Sequence, residues 1–189
     1  MIIVGIDEVG RGCWAGPLVA GAVILNANSP ILGLKDSKQL TKKQLQQLDQ
    51  IIQKQALAVG LGWVTPAEID EHGLTAAVRL AMQRALEQIK LDYDEVVVDG
   101  EYNFLKDSPK TRAVIKADAT VPAVSAASIV AKVARDNFMT KLADEYPDYG
   151  FDRHVGYGTA LHLEKLKLHG VSDLHRCSFQ PIQNLLQLA

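Results

Sequence analysis

At 189 residues and 48% hydrophobic, the chain has room for one compact domain with a sizeable core and a small helical appendage, and too little length for a second full domain. A net charge of −2 and a pI near 6.2 argue against a wholly basic nucleic-acid coat, although clustered acids would mask a local basic surface in that sum. The longest apolar stretch, Leu18 to Leu25, is far too short to span a bilayer, so a cytoplasmic protein with no membrane partner is expected.

Met1 to Asp7 reads as a strand, and Pro17 to Leu25 as a second, joined hairpin-fashion by the glycine-rich turn VGRGCWAG. Cys13 in that turn and the distant Cys177 match no CxxC or zinc-knuckle spacing, which predicts free thiols. Asn26 to Asp36 reads as loop. Thr41 then caps a helix with Leu45, Leu48, Ile51 and Ile52 on one face, and Ala56 to Val64 returns to strand character.

Thr65-Pro66-Ala67-Glu68 combines an N-cap, a first-turn proline and a capping-box acid, predicting a short helix that His72-Gly73 ends. From Leu74, the residues Ala77, Val78, Ala81, Met82, Ala85, Leu86 and Ile89 recur at intervals of three and four, an amphipathic helix that feeds a strand ending at Asp99. Gly100 to Pro109 is a polar loop and Ala113 to Asp118 the next strand. A long helix follows Pro122, with small residues where it could approach a sheet closely. Pro147 to Gly158 breaks the pattern, and Thr159 to His169 and Pro181 to Leu188 read as two further helices. Together they form a C-terminal helical segment of about 147–189 within one domain, 1–189. Alternating strands and helices after residue 65 imply parallel pairing, and the early short turn implies an antiparallel pair, so the expected fold is a mixed α/β sheet covered by helices.

Three apolar, β-branched runs end in carboxylates: IIVGIDE at Asp7 and Glu8, EVVVD at Asp99, RAVIKAD at Asp118. If the runs are neighbouring strands, four acids converge at one sheet edge, where ligands bind in such folds. Crowded carboxylates raise one another's pKa values unless a cation neutralises them, and oxygen donors without His or Cys favour Mg²⁺ or Mn²⁺ over zinc. Adjacent strand residues point to opposite faces, so Asp7 and Glu8 can share a site only where the pleat breaks, as Gly5 and Gly10 would allow. Two divalent ions about 3.5–4 Å apart would suit a phosphodiester, one activating water and the other stabilising the leaving oxygen.

Gly10-Arg11-Gly12 follows the first acids, letting backbone amides approach a polyanion while the guanidinium pairs with phosphate. Ser37 and Lys38 lead into a basic helix cap, and Ser125, Ser128, Lys132 and Arg135 recur near helical spacing beyond Asp118. These hydroxyl and cationic groups fit phosphate contacts. Tyr157 lies between glycines that would expose its ring for stacking on a sugar or base. Arg153-His154 and His175-Arg176 read as surface polar clusters of lower rank. The C-terminal QNLLQL faintly suggests a peptide that docks on a sliding clamp, against the stronger reading of an amphipathic helix packed on the domain.

GIDEVGRG, LKDSKQLT, VVVDG, KADATVPAVSAASIVAKVARD, HVGYGT and HRCSF, from residue 5 to residue 179, resemble the ribonuclease HII family, in the family's order. The related ribonuclease HIII class normally carries an extra N-terminal domain, for which a strand beginning at Met1 leaves no room. The resemblance implies an RNase H-like fold and a monomer. It implies endonucleolytic cleavage of RNA in RNA/DNA hybrids and 5′ of single ribonucleotides embedded in duplex DNA, leaving 3′-hydroxyl and 5′-phosphate ends, as in ribonucleotide removal from DNA. By matching position, Asp7, Glu8, Asp99 and Asp118 become the catalytic, metal-binding acids. Asp7 bridges both ions, Asp118 helps hold the one that activates water, and Glu8 with Asp99 hold the one on the leaving-group side. Gly10, Arg11 and Gly12 match the loop that reads the ribose 2′-hydroxyl, Tyr157 the tyrosine stacked on the adjacent deoxyribose, and Ser37, Lys38, Ser125, Ser128 and Lys132 phosphate-contacting positions. The chain departs from the family pattern at Cys13-Trp14, Glu101, Ala117 and Val155. Glu101 would put another negative charge near the metals, and Val155 replaces a customary lysine.

Among rivals, a junction resolvase would also use clustered acids, but the GRG loop and Tyr157 favour ribose reading. Actin-like ATPases and sugar kinases need two such domains, and a non-catalytic hybrid-binding module needs no cluster of four acids.

Overall fold

The computed structural model describes residues 1–35, 37–108 and 110–187. Asp36, Pro109 and Leu188, the predicted ends of two loops and of the last helix, lie outside the described residues, as does Ala189. The strands are β1 (Ile3–Val9), β2 (Leu18–Ile24), β3 (Ala58–Val64), β4 (Glu95–Asp99) and β5 (Thr111–Val114). They form a five-stranded mixed sheet of order β3-β2-β1-β4-β5, antiparallel from β3 to β1 and parallel from β1 to β5.

Eight helices surround it: α1 (Lys42–Gln55), α2 (Pro66–His72), α3 (Leu74–Glu87), α4 (Ala117–Thr120), α5 (Pro122–Glu145), α6 (Phe151–His154), α7 (Ala160–His169) and α8 (Gln180–Leu186), among the described residues. Local chemistry sets their starts. Thr41 and Thr65 each close a reciprocal capping box, with Gln44 and Glu68, and Pro66 and Pro122 stand in first turns where no intrahelical N–H is lost. Three readings need correction. Ile51 turns to solvent while Leu45, Leu48 and Ile52 are buried, α6 interrupts the expected break between Pro147 and Gly158, and the strand expected to reach Asp118 stops at Val114.

Strand alternation divides the core. Val4, Ile6, Val96 and Val98 face α3, while Val23, Val97 and their neighbours face α1 and α5. Helix α5 crosses β1 and β2 at glycine: a Cβ on Gly5 would overlap the backbone of Ala123 and Val124, and one on Gly21 the carbonyl of Ala127. Alanines on the helix and glycines on the strands therefore set the closest approach. Gly5→Ala is expected to destabilise the fold by about 3 kcal/mol, because backbone cannot swing aside as a side chain can. Urea unfolding checks it, and an unchanged midpoint would contradict the close approach.

Candidate active site

The parallel register of β1 on β4 ends at Ile6 opposite Val98, so Asp7 and Asp99 stand one step beyond the last pair, where the two strands part. The pleat does not break there: β1 keeps its ladder with β2 through Glu8 and Val9. Asp7 and Glu8 share one cavity because β4 has ended beside them, which opens the sheet edge to both faces.

That cavity, about 390 Å³, is lined by Asp7, Glu8 and Asp99, by the Gly10-Arg11-Gly12 loop, and by Ser37, Lys38, Ser128, Lys132 and Tyr157. Residues from five separate stretches of chain are thus brought together. Asp118 and Ser125 are not part of the lining. Asp118 is buried on α4, reached through the left-handed turn at Lys116 (φ 56°), and its backbone N–H and that of Ala117 donate to Asp99 Oδ1 at 3.3 and 2.7 Å. Asp99 therefore ties the Asp118 turn to the end of β4. Ser125 Oγ donates to the Asp118 carbonyl at 2.5 Å, so its hydroxyl is committed beneath that turn rather than to a phosphate.

Burial pushes Asp7 up to about 8, and the nearby Glu8 and Asp99 charges push the same way; Ser128 hydrogen-bonds its carboxylate and partly offsets this. Glu8 is also raised, first by burial, with Arg11 opposing and Asp99 adding to the shift. The Ser128 hydroxyl meets that of Ser37 at 2.9 Å, which fixes the turn bearing Lys38 over α5. Among the described residues, no three His, Cys, Asp or Glu side chains are gathered tightly enough to ligate one ion as they stand. The donor chemistry nonetheless fits a hard divalent cation. Every acid at the cavity offers oxygen, no His or Cys lines it, and Asp7 resists ionisation in a way that a neighbouring positive charge would reverse.

Arg11 lies 3.7 Å from Glu8 and over the Phe104 ring, 5.7 Å from its centroid. It also walls a larger cavity of about 870 Å³ that includes Tyr102, Arg79 and Lys106. Glu101 lines that neighbouring space, which adjoins the carboxylate cavity at Arg11. The acids make the smaller cavity the candidate site. Tyr157 is 37% exposed, with Lys132 at 5.7 Å and Arg135 at 5.8 Å from its ring centroid. Burial pushes its hydroxyl up to about 12, keeping it protonated.

Charged residues that read as surface features turn out to be buried. Arg135 is fully buried and donates to the carbonyls of Pro17, Val155 and Ala15 at 2.8, 2.8 and 3.1 Å, so it is no phosphate ligand. Arg176, also fully buried, donates twice to Gly16 O, at 3.1 and 2.9 Å, and once to Arg11 O at 3.1 Å. Each guanidinium holds carbonyls of the loop after β1, and Arg135 reaches the Tyr157 loop as well. Val155 there has φ 44°, a left-handed conformation costly for a β-branched side chain and held by Arg135 at its carbonyl. Isolated bridges pair Cys13 with Tyr157 and Ala15 with His175, so the two loops form one platform. Both cysteines are free, Cys13 buried and Cys177 exposed.

His154 and His175 are likewise buried, with His162 between them. Burial pushes His162 and His175 down to about 4 and lowers His154 too, so the fold holds them neutral. The unfolded chain binds these protons near pH 6.5 and the fold only near 4. The histidines' contribution to stability is therefore complete above about 6.5, is lost as pH drops toward 4, and levels off below, while Asp7, raised to about 8, contributes in the opposite direction. In Asp7→Asn, which removes that opposing carboxyl, a progressive fall in melting temperature across the window is expected; a flat profile there would contradict neutral histidines.

The family model described as Ribonuclease HII matches residues 4–182 of the chain. The ribonuclease HII of Shewanella halifaxensis is 49% identical over 183 residues, spanning 96% of this chain and 89% of that one. Among solved structures, the ribonuclease H2 of Pyrococcus horikoshii superposes with a TM-score of 0.85 at 29% identity, covering 100% of this chain and 98% of the other. The RNase HII of Archaeoglobus fulgidus, solved in complex with PCNA, gives a TM-score of 0.78 at 26% identity over 95% and 96% of the two chains.

Proposed function

The chain belongs to the ribonuclease HII family and is a ribonuclease with an RNase H-like fold; from that premise we propose that it cuts the RNA strand of RNA/DNA hybrids and nicks duplex DNA 5′ of a single embedded ribonucleotide. The products are 3′-hydroxyl and 5′-phosphate ends, and the role is ribonucleotide removal from DNA. The observation that carries this reading is the buried Asp7 beside Asp99 in a cavity whose rim is the Gly10-Arg11-Gly12 loop and the half-exposed Tyr157.

Asp7, Glu8, Asp99 and Asp118 would hold two divalent ions, Mg²⁺ or Mn²⁺, which supply an activated water and stabilise the departing 3′ oxygen. The protein's own part is positioning. Gly10 and Gly12 let the backbone approach the 2′-hydroxyl, Arg11 pairs with phosphate, and the Tyr157 ring packs on the adjacent deoxyribose. Lys38 and Lys132 face the same cavity and receive the flanking phosphates, with the Ser37–Ser128 pair beside them and the Ser128 hydroxyl on Asp7. Ser125 acts one step away, holding the Asp118 turn. A junction resolvase would need the acids but not a ribose reader beside them.

The protein acts as one catalytic unit, with the helical segment from about residue 147 completing the platform, as a monomer in the cytoplasm. Helix α8 buries Ile182 and leaves Leu186 exposed, so contact with a sliding clamp would fall to its outer face. No helix among the described residues is long and apolar enough to cross a membrane.

The test is a labelled DNA duplex with one ribonucleotide, incubated with Mg²⁺, with Mn²⁺ and with EDTA. A single cut 5′ of the ribonucleotide, lost with EDTA, is expected; cutting of an all-DNA duplex at the same rate would overturn the reading. Arg11→Ala and Tyr157→Ala are each expected to lower incision at the embedded ribonucleotide about tenfold while changing duplex affinity less, since one contact worth about 1.4 kcal/mol is tenfold. Equal losses in incision and in duplex binding would make the pair a phosphate clamp.

A further inference from the structure

Three histidines from three different stretches stack behind the Tyr157 loop, with His154 and His162 4.2 Å apart and His162 and His175 5.2 Å apart between ring centroids. Every ring nitrogen has a partner, and the partners dictate where the protons sit. Nε2 of His162 faces Nε2 of His175 at 3.1 Å, so one of them donates and the other accepts. His162 Nδ1 lies 2.9 Å from the Tyr157 carbonyl, which can only accept; the Thr159 N–H takes the other side of that oxygen at 2.9 Å. His162 therefore carries its proton on Nδ1 and accepts at Nε2, and His175 donates from Nε2.

His175 Nδ1 then accepts from the Ser172 hydroxyl at 2.9 Å and N–H at 3.1 Å, in preference to donating to the Ser172 carbonyl, which lies farther off at 3.3 Å and already receives the His175 N–H. The reverse direction would set a bare His162 nitrogen against the Tyr157 carbonyl and two N–H groups together at Ser172. His154 is fixed in the same manner: its Nδ1 accepts from Gly156 N–H at 3.2 Å, and its Nε2 donates to the Tyr149 carbonyl at 2.8 Å.

We infer that these histidines form a relay of fixed tautomers, Ser172 to His175 to His162 to Tyr157, that sets the backbone at residues 156–157 and so aims the Tyr157 ring, with His162 as its positioning residue. This rests on the reading of Tyr157 as the group that packs on the sugar beside the ribonucleotide. His154 holds the N–H of Gly156 and His162 the C=O of Tyr157, so the segment is gripped at both ends. Burial that keeps His162 and His175 neutral near pH 7 supports the arrangement, since a third proton would face a donor.

Two near-isosteric variants separate aiming from packing. An Asn amide places its nitrogen near the former Nδ1, and a Gln amide reaches only the former Nε2. The quantity to measure is kcat/KM on a duplex with one embedded ribonucleotide divided by that on an RNA/DNA hybrid, with KM and kcat resolved and melting temperatures recorded. H162Q is expected to lower this ratio about fivefold, mainly through KM, the worth of one net hydrogen bond, and H162N to stay within about twofold of the parent. Equal ratios in the two variants, or losses that follow only the melting temperature, would overturn the inference. Y157A runs alongside: if it lowers the ratio and H162Q does not, the relay fails, and if neither does, the underlying reading of Tyr157 fails. Imidazole ¹⁵N shifts give a readout independent of activity. Protons on Nδ1 of His162 and on Nε2 of His154 and His175 are expected, and any other set overturns the relay.

Discussion

Asp7→Asn is expected to abolish metal-dependent cleavage, by a factor on the order of 10³ or more, and to leave a folded protein. Asp7 sits at the point where β1 and β4 part, opposite Gly21 on β2, with its carboxylate accepting the Glu8 N–H at 2.8 Å. Asn keeps that shape and that acceptor and removes only the charge. Because burial and the neighbouring acids raise Asp7 to about 8, its ionised form is one the fold disfavours near neutrality. The variant should therefore melt at the parent's temperature or above it when a chelator is present. Initial rates with Mg²⁺ and with Mn²⁺, together with melts in EDTA, check both halves; normal turnover would remove Asp7 from the site.

Arg176→Leu is the expected extreme on the side of stability. Removing that guanidinium leaves two carbonyls, of Arg11 and Gly16, buried without their charged donor, and hydrogen bonds to charged groups are the strong ones. Burial opposes the charge itself, pushing Arg176 down to about 10, so part of the loss is returned when the charge goes. The carbonyls prevail, because three bonds are lost and leucine offers no donor. A destabilisation of about 3 kcal/mol is expected, which for a chain of this size is roughly 6–12 °C in melting temperature. Arg176→Lys should recover little, since one ammonium cannot span Arg11 and Gly16 as the planar fork does. An unchanged urea midpoint for the leucine variant would show that the loop closes without it.

Much of the fold was legible because its signals are local. Thr41 and Thr65 announce their helices within four residues, and the Val-rich run before Asp99 can hardly be anything but a strand. The short GRG turn correctly implied an antiparallel pair, and the small residues of α5 marked its close approach to the sheet, whereas Gly5, read as a break in the pleat, is where α5 crosses β1. What local pattern could not show was where long-range hydrogen bonds end. RAVIKAD alternates like a strand, yet Asp99 captures the N–H groups of Ala117 and Asp118 and winds the chain into α4 instead. Arg135 read as a phosphate contact, and His154, His175 and Arg176 as solvated polar groups, because charged and polar side chains are usually exposed. Arg135 and Arg176 bond backbone carbonyls of the loop after β1, far along the chain, to which no spacing rule points; His154 and His175 bond nearby groups, of Tyr149, Gly156 and Ser172, and are buried by the elements packed around them. His162 was missed altogether; its place on α7 one turn after the Thr159 cap was the available signal.

The pairing of Cys13 with Tyr157 and of Ala15 with His175 couples the loop after β1 to segments more than 140 residues farther along the chain. A ribosome releases this chain in order, so the sheet and α5 can assemble while the segment bearing Tyr157, His162 and Arg176 is still inside the exit tunnel. The acids come together early, and the surface that would aim them at a ribonucleotide is finished last. Until the segment from Tyr157 to Arg176 emerges, a nascent chain carries the clustered carboxylates without the platform beside them, so the two parts of the candidate site are completed at different times.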